Sequence, residues 1–252
     1  MAGISWYSSE NTRSNPVPLC SLSNLQLRFL CPADLEEVRR LCQDWFPIEY
    51  PDSWYQDITS DPRFYSLAAI YGGIIIGLIV AEIKSYNKLS KEDSTILSVS
   101  PHERIDVGYI LSLGVSKVYR RNGIASLLLE HLIRYMNTNE NAHCKALFLH
   151  VLTTNNAAIQ FYEQRRFKLH SFLPYYYSIQ GKSKDGFMYV LYINGGHPPW
   201  SLADYIKHYC EVLVRSDPCS VPAWIWGQLQ AVTEWIWPRV GRAAHSTSTL
   251  FW

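Results

Sequence analysis

The run Arg120-Arg121-Asn122-Gly123-Ile124-Ala125 constrains this chain more than any other stretch. It reads R-x-x-G-x-A and joins segments of opposite character. Before it, Tyr109-Ile110-Leu111-Ser112-Leu113-Gly114-Val115 is an apolar, strand-like run. After it, Ser126-Leu127-Leu128-Leu129-Glu130-His131-Leu132-Ile133 is helix-like. A strand, a short basic turn and a helix start together make a pocket for an anion. Gly123 has no Cβ, so a ligand can approach its backbone. The first turn of a helix has unpaired N–H groups, and the helix dipole favours negative charge there. Arg120 and Arg121 add charge-assisted donors. Taken alone, the pattern also fits a basic turn that caps a surface helix. No Lys-Ser/Thr follows Gly123 as it would in a triphosphate-binding loop.

Periodicity places this turn within a longer alternation of elements. Leu25, Leu27 and Phe29 alternate with Gln26 and Arg28, which predicts a strand. Pro32 opens a helix that runs to about Asp44, and a short helix is expected around Asp52 to Ile58. Phe64 to Tyr71 and Ile74 to Ile83 read as strands joined at the turn dipeptide Gly72-Gly73. Residues 84–104 are polar and read as a loop. Asp106 to Val115 is the next strand, and Gly123 to about Met136 the helix after the basic turn. Ala146 to Leu152 is a short buried strand and Thr154 to Gln164 a helix. Phe167 to Phe172 and Gly186 to Ile193 are the last strands, with Leu173-Pro174-Tyr175-Tyr176-Tyr177 as an aromatic loop between them. The order β-α-α-β-β-β-α-β-α-β-β predicts an α/β domain with a mixed sheet.

Composition narrows the function classes. The 252 residues carry a formal net charge of +1, which argues against a nucleic-acid binder that works by bulk charge. The cysteines Cys20, Cys31, Cys42, Cys144, Cys210 and Cys219 are scattered, with no spacing of a disulfide frame or a zinc site. No segment reaches the roughly 18–20 apolar residues of a spanning helix. Residues 1–23 are rich in Ser, Asn and Pro and read as a disordered arm.

Further along the chain, Phe148-Leu149-His150-Val151 ends a strand, and Asn155-Asn156-Ala157-Ala158-Ile159-Gln160-Phe161-Tyr162-Glu163 follows. With the basic turn, this N-x-x-A-x-x-F-Y-E run resembles the GNAT acetyltransferase superfamily. Trp45-Phe46-Pro47-Ile48-Glu49-Tyr50-Pro51 and the strand from Tyr109 to Val115 are similar to the protein N-terminal acetyltransferases. Their combination with Leu152-Thr153-Thr154-Asn155-Asn156, Leu173-Pro174-Tyr175-Tyr176-Tyr177-Ser178-Ile179 and Asn194-Gly195-Gly196-His197-Pro198-Pro199-Trp200 resembles the Golgi-associated NatF type. The resemblance covers residues 24–200. It implies a GNAT fold with a mixed sheet of about seven strands, acetyl-CoA as donor and no metal. It assigns Tyr109 and His150 as the pair that relays the proton from the attacking amine. Histidine has a suitable ordinary pKa, and tyrosine serves with a depressed pKa or by positioning water. Apart from the resemblance, both residues also fit a packed core.

The same resemblance assigns the donor to Leu113, Gly114 and Val115, whose backbone would pair with the pantetheine arm. Arg121, Asn122, Gly123, Ile124, Ala125 and Ser126 would hold the pyrophosphate. Asn155, Tyr162, Glu163, Gln164 and Arg165 would hold its far side. Phe46, Pro47, Glu49, Tyr50, Leu111, Tyr176 and Tyr177 would clamp a peptide N-terminus, with aromatic walls that suit a first Met and an apolar second residue. Implied acceptors are proteins that start with Met followed by an apolar residue or Lys, including transmembrane proteins with cytosolic N-termini. Lysine acetylation, histones included, is the alternative. The implied state is a monomer or weak homodimer without nucleic acid, peripheral on the cytosolic face of Golgi membranes.

Residues 201–252 form a third region. Leu202, Tyr205, Ile206, Tyr209, Val212 and Leu213 share one helical stripe, and Ile225, Leu229, Val232 and Ile236 a second. Trp224, Trp226, Trp235 and Trp237 border the second stripe, which suits the headgroup boundary of a membrane surface. Packing on the domain or on a second chain is the other use of such stripes.

Overall fold

The computed structural model describes residues 24–46, 48, 50–98 and 104–199. The expected N-terminal arm, Pro47, Glu49 and the amphipathic tail lie outside the described residues.

Among the described residues seven strands form one sheet: β1 (Leu25–Phe29), β2 (Phe64–Tyr71), β3 (Ile74–Ser85), β4 (Asp106–Val115), β5 (Cys144–Leu152), β6 (Lys168–Ile179) and β7 (Lys182–Tyr192). Their spatial order is β1-β2-β3-β4-β5-β7-β6. Every neighbouring pair is antiparallel except β4 and β5. The helices are α1 (Leu35–Trp45), α2 (Asp52–Ser60), α3 (Ile124–Met136) and α4 (Asn156–Glu163). The sheet is mixed and the element order is the predicted one. Gly72 and Gly73 have φ of 59° and 81°, and Tyr71 pairs with Ile74 across them. Such a two-residue turn needs positive φ at both positions, which glycine adopts without strain.

Alternation along the strands sends side chains into two separate cores. Val38, Cys42 and Trp45 of α1 and Trp54, Tyr55 and Ile58 of α2 pack with Leu78, Tyr109, Leu111 and Phe148. Ile124, Leu128, Leu129, Leu132 and Met136 of α3 pack with Ile110, Leu113, Leu147 and Tyr162 in the other. A bulge in β4 produces the switch between faces. Ile110 pairs with Ala81 and Ser112 with Val80, which leaves Leu111 as an extra residue.

Two features of the sheet place the site. The pairing of β4 with β5 runs only from Asp106↔Cys144 to Tyr109↔Phe148. Beyond that point β4 continues against β3 as far as Val115, while β5 continues against β7 as far as Leu152. The two strands therefore part, with His150 just past the fork. The second feature corrects a sequence expectation. Leu173 to Tyr177 is not a loop between strands but lies within β6, and the true hairpin turn is Gln180-Gly181, with φ of 50° and 71°. Aromatic, β-prone residues continue the strand past Pro174, which an edge strand tolerates.

Candidate active site

On one side of the fork lies the basic turn. Arg121 and Gly123 both have positive φ, 65° and 78°, so the chain turns sharply into α3. A Cβ on Gly123 would meet no atom within 4 Å, because that face opens into a cleft. The cleft has a volume of about 240 Å³ and is lined by Val115, Arg120, Arg121, Gly123, Ala125, Ser126, Gln164 and Arg165, among others. Arg120 Nε donates to the Val115 carbonyl at 3.1 Å, and the Asn122 amide donates to the carbonyls of Tyr119 (3.2 Å) and Arg120 (3.3 Å). Asn122 thus braces the turn. Arg165 lies over the Phe161 ring at 3.8 Å, donates to the Phe161 carbonyl at 2.8 Å and also meets the Ser126 hydroxyl. Ile124 is buried in the α3 core. An open backbone, a helix N-terminus and three arginines suit a polyanion such as the diphosphate of coenzyme A. The edge of β4 from Ile110 to Val115, freed where β5 departs, suits the amide-bearing pantetheine arm.

Asn155, Tyr162 and Glu163, also predicted on the donor side, make contacts within the fold. Asn155 accepts the Ala158 N–H at 3.2 Å and so caps α4. Tyr162 is 1% exposed and packs edge-on against Phe161 and Phe167. Glu163 accepts the Tyr189 hydroxyl at 2.8 Å. Burial raises the Tyr189 phenol, and the nearby Glu163 carboxylate adds to the rise.

On the opposite side of the fork, Tyr109 and His150 meet. The Tyr109 hydroxyl is 2.9 Å from His150 Nδ1, and the Tyr176 hydroxyl is 2.8 Å from the same nitrogen. Both rings of the predicted pair are buried, and Phe148 stacks on Tyr109 at 4.6 Å. Burial pushes the Tyr176 phenol well above its ordinary value. The Asp93 carboxylate adds to that rise, while a hydrogen bond with Tyr109 opposes it. Tyr176 is therefore a neutral hydroxyl at neutral pH. Two phenols and one imidazole nitrogen in mutual contact can pass a proton along O–H bonds: each hydroxyl can donate and accept, and an unprotonated Nδ1 accepts through its one lone pair.

Asp93 belongs to this cluster, although sequence reasoning did not single it out. Its Oδ1 lies 3.0 Å from His150 Nε2, close but off the hydrogen-bonding axis. An ionised carboxylate only accepts, so it favours the proton on Nε2 and leaves the Nδ1 lone pair toward the phenols. Asp93 comes from the polar segment between β3 and β4. That segment is folded back: Ile96 and Leu97 are buried, Tyr86 donates to the Leu97 carbonyl at 3.2 Å, and Thr95 Oγ1 is 3.0 Å from His170 Nε2. The apolar pair Ile96-Leu97 was the one available signal that this stretch is anchored.

The predicted acceptor walls gather around the same cluster. Phe46 and Leu111 are buried with Tyr109, and Tyr50 and Tyr176 pack against them. Tyr50 stacks on Trp54 at 4.0 Å and meets Phe46 edge-on. The Phe46 ring lies on β4 at Gly114, where an added Cβ would come within 2.8 Å of it. Tyr177 is buried with Leu152 and packs against Ile48 and Tyr176. Among the described residues no three His, Cys, Asp or Glu converge as a metal site.

A split mixed sheet with an anion cradle at one side of the fork and a buried Tyr–His–Tyr cluster at the other is the build of an acyl-CoA-dependent transferase. Residues 35–167 match the Acetyltransferase (GNAT) family. The N-alpha-acetyltransferase 60 of Drosophila melanogaster is 54% identical, over 92% of this chain and 92% of its own length. That of Danio rerio is 55% identical, over 91% and 95%. The histone acetyltransferase MCC1 of Arabidopsis thaliana is 30% identical, over 79% and 83%. Among solved structures, Arabidopsis thaliana NAA60 in complex with acetyl-CoA superposes with a TM-score of 0.62 at 30% identity, covering 68% of this chain and 99% of that one. The chain belongs to the GNAT acetyltransferase family. Kinship with the fly and zebrafish proteins places it among the acetyl-CoA-dependent N-alpha-acetyltransferases.

Proposed function

We propose that this enzyme acetylates the α-amine of proteins that start with Met followed by an apolar residue or Lys, and that it acts on the cytosolic face of Golgi membranes. The observation that carries the acceptor side is the buried Tyr109–His150–Tyr176 cluster beside aromatic walls. Acetyl-CoA supplies a thioester whose carbonyl carbon accepts the amine and whose thiolate then leaves. The chain's own task is to take one proton from the amine. A free α-amine has a pKa near 7.7–8, so a modest base suffices. His150 Nδ1 receives the proton through the Tyr109 hydroxyl, and Asp93 stabilises the imidazolium that forms. The β4 backbone holds the donor, and the turn at Arg121 to Ser126 anchors its diphosphate. Phe46, Tyr50, Tyr176 and Tyr177 enclose the first side chain and exclude water. The resemblance adds Pro47 and Glu49 to the acceptor-binding residues, with Glu49 drawing in the ammonium form.

Residues 201–252, with their Trp-bordered stripes, are assigned to membrane attachment. Deleting them is expected to release the enzyme from membranes in a flotation assay. Similarity to a histone acetyltransferase supports internal lysine as a second acceptor. Peptide-array acetylation decides between them: Met-Lys and Met-Leu N-termini are expected to react faster than N-blocked lysine peptides by about tenfold or more. Equal rates would remove the N-terminal preference.

A further inference from the structure

The aromatic stretch of β6 departs from strand alternation. A regular strand would place Tyr175 on the same face as Leu173 and turn Tyr176 away. Instead Tyr175 is 78% exposed, and Tyr176 points inward to His150. The register explains the reversal. Leu173 pairs with Gly186 and Tyr177 with Lys184, so Pro174, Tyr175 and Tyr176 all stand opposite the single residue Asp185. The inserted residues are accommodated by Tyr175 at φ 55°, a conformation that L residues with a Cβ avoid.

An exposed ring supplies little packing to hold such a backbone. What holds it is Asp185, whose Oδ1 accepts the Tyr175 N–H at 2.8 Å, a charge-assisted bond. Asp185 is itself fixed to the strand that carries His150, because its carbonyl accepts the Thr153 N–H at 3.2 Å. The next residue, Gly186, pairs with Leu152. A Cβ there would lie 3.1 Å from the Tyr177 ring and 3.5 Å from Tyr176, so its absence lets both rings fold over the site.

We propose that Asp185 is a positioning residue for the acceptor side: its carboxylate holds Tyr175 in the left-handed conformation that delivers Tyr176 onto His150. The assignment rests on the reading of His150 as the proton acceptor. Asp185 touches none of the reacting atoms and acts only through Tyr175 and Tyr176.

The test is steady-state kinetics on a Met-Leu peptide, with acetyl-CoA affinity measured by calorimetry on the full chain. Asp185→Ala is expected to lower kcat/KM for the peptide by about tenfold or more, as misplacement of a site group does, with the acetyl-CoA Kd unchanged. Asp185→Asn keeps an oxygen that can accept the Tyr175 N–H and should stay within about threefold of the parent. Adding Tyr175→Gly to Asp185→Ala should restore most of the loss, since glycine adopts positive φ freely; Tyr175→Gly alone corrects for the ring. Asp185→Asn falling as far as Asp185→Ala overturns the assignment. So does an equal loss of acetyl-CoA affinity, which marks general damage to the fold. His150→Ala is measured alongside. If it stays active, the reading of His150 falls while the Asp185 comparison still reports on Tyr176. If it is inactive and Asp185→Ala matches the parent, the Asp185 assignment alone falls.

Discussion

The two sides of the fork between β4 and β5 are built in different ways. The donor side is mostly backbone: a turn with two positive φ values, the start of α3 and the free edge of β4. Most of it comes from residues adjacent in sequence. The acceptor side is mostly side chains, drawn from the α1–α2 connection, the β3–β4 segment, β4, β5 and β6. Backbone sites depend on local conformation, whereas side-chain clusters depend on the whole fold to bring their members within hydrogen-bond range. Variants on the two sides should therefore fail differently, one in donor affinity and the other in turnover.

The largest effect is expected at His150. His150→Ala should lower kcat by about 100-fold or more, with Tyr109→Phe smaller in the same direction and acetyl-CoA affinity retained in both. Loss of donor affinity in place of kcat would erase the distinction between the two sides. Asp93→Asn comes next, at roughly ten- to a hundredfold in kcat, because it removes the charge that favours the Nε2–H tautomer and stabilises the imidazolium. An unchanged kcat would reduce Asp93 to a loop anchor. On the donor side, Gly123→Val forces a β-branched residue to φ 78° and places atoms in the cleft. It should raise the acetyl-CoA Kd about tenfold, or 1.4 kcal/mol, while kcat at saturating acetyl-CoA stays near the parent value.

The smallest effect belongs to neither side. Arg28 grips Asp34 through two bonds of 2.6 and 2.7 Å, and the Cys31 N–H donates to the same carboxylate at 2.8 Å. The Arg28 guanidinium holds the Asp34 carboxyl down at about 2. Because the folded pKa lies below the unfolded value near 3.9, this contribution is full above pH 4. It is lost as pH falls through about 2. Arg28 is half exposed, so solvent screens the pair, and Asp34→Ala should cost only about 1–2 kcal/mol at pH 7. Thermal melts at pH 7 and pH 2.5 check it: the gap to the parent should narrow at the lower pH, with activity at neutral pH unaffected.

The contrast between the two sides also divides what could be read before the fold was known. Gly72-Gly73, the apolar runs and the helical stripe of α3 encode their elements locally, and the basic turn announced an anion site through residue types alone. The pairing of Tyr109 with His150 entered through family resemblance, since neither residue is unusual in an apolar strand. Asp93 escaped because an acid in a polar stretch looks like any solvated loop residue. Leu173 to Tyr177 reads as a loop in the sequence because a proline among tyrosines resembles a turn when the partner strand is unknown.

The sequence by itself determined the order of elements and the donor turn, because periodicity, glycine and charge act over a few residues. Tertiary structure decided the parting of β4 from β5, the approach of Asp93 to His150 and the inward rotation of Tyr176. Those depend on strand pairing across dozens of residues, where a shift of one or two positions in register changes which face a side chain occupies.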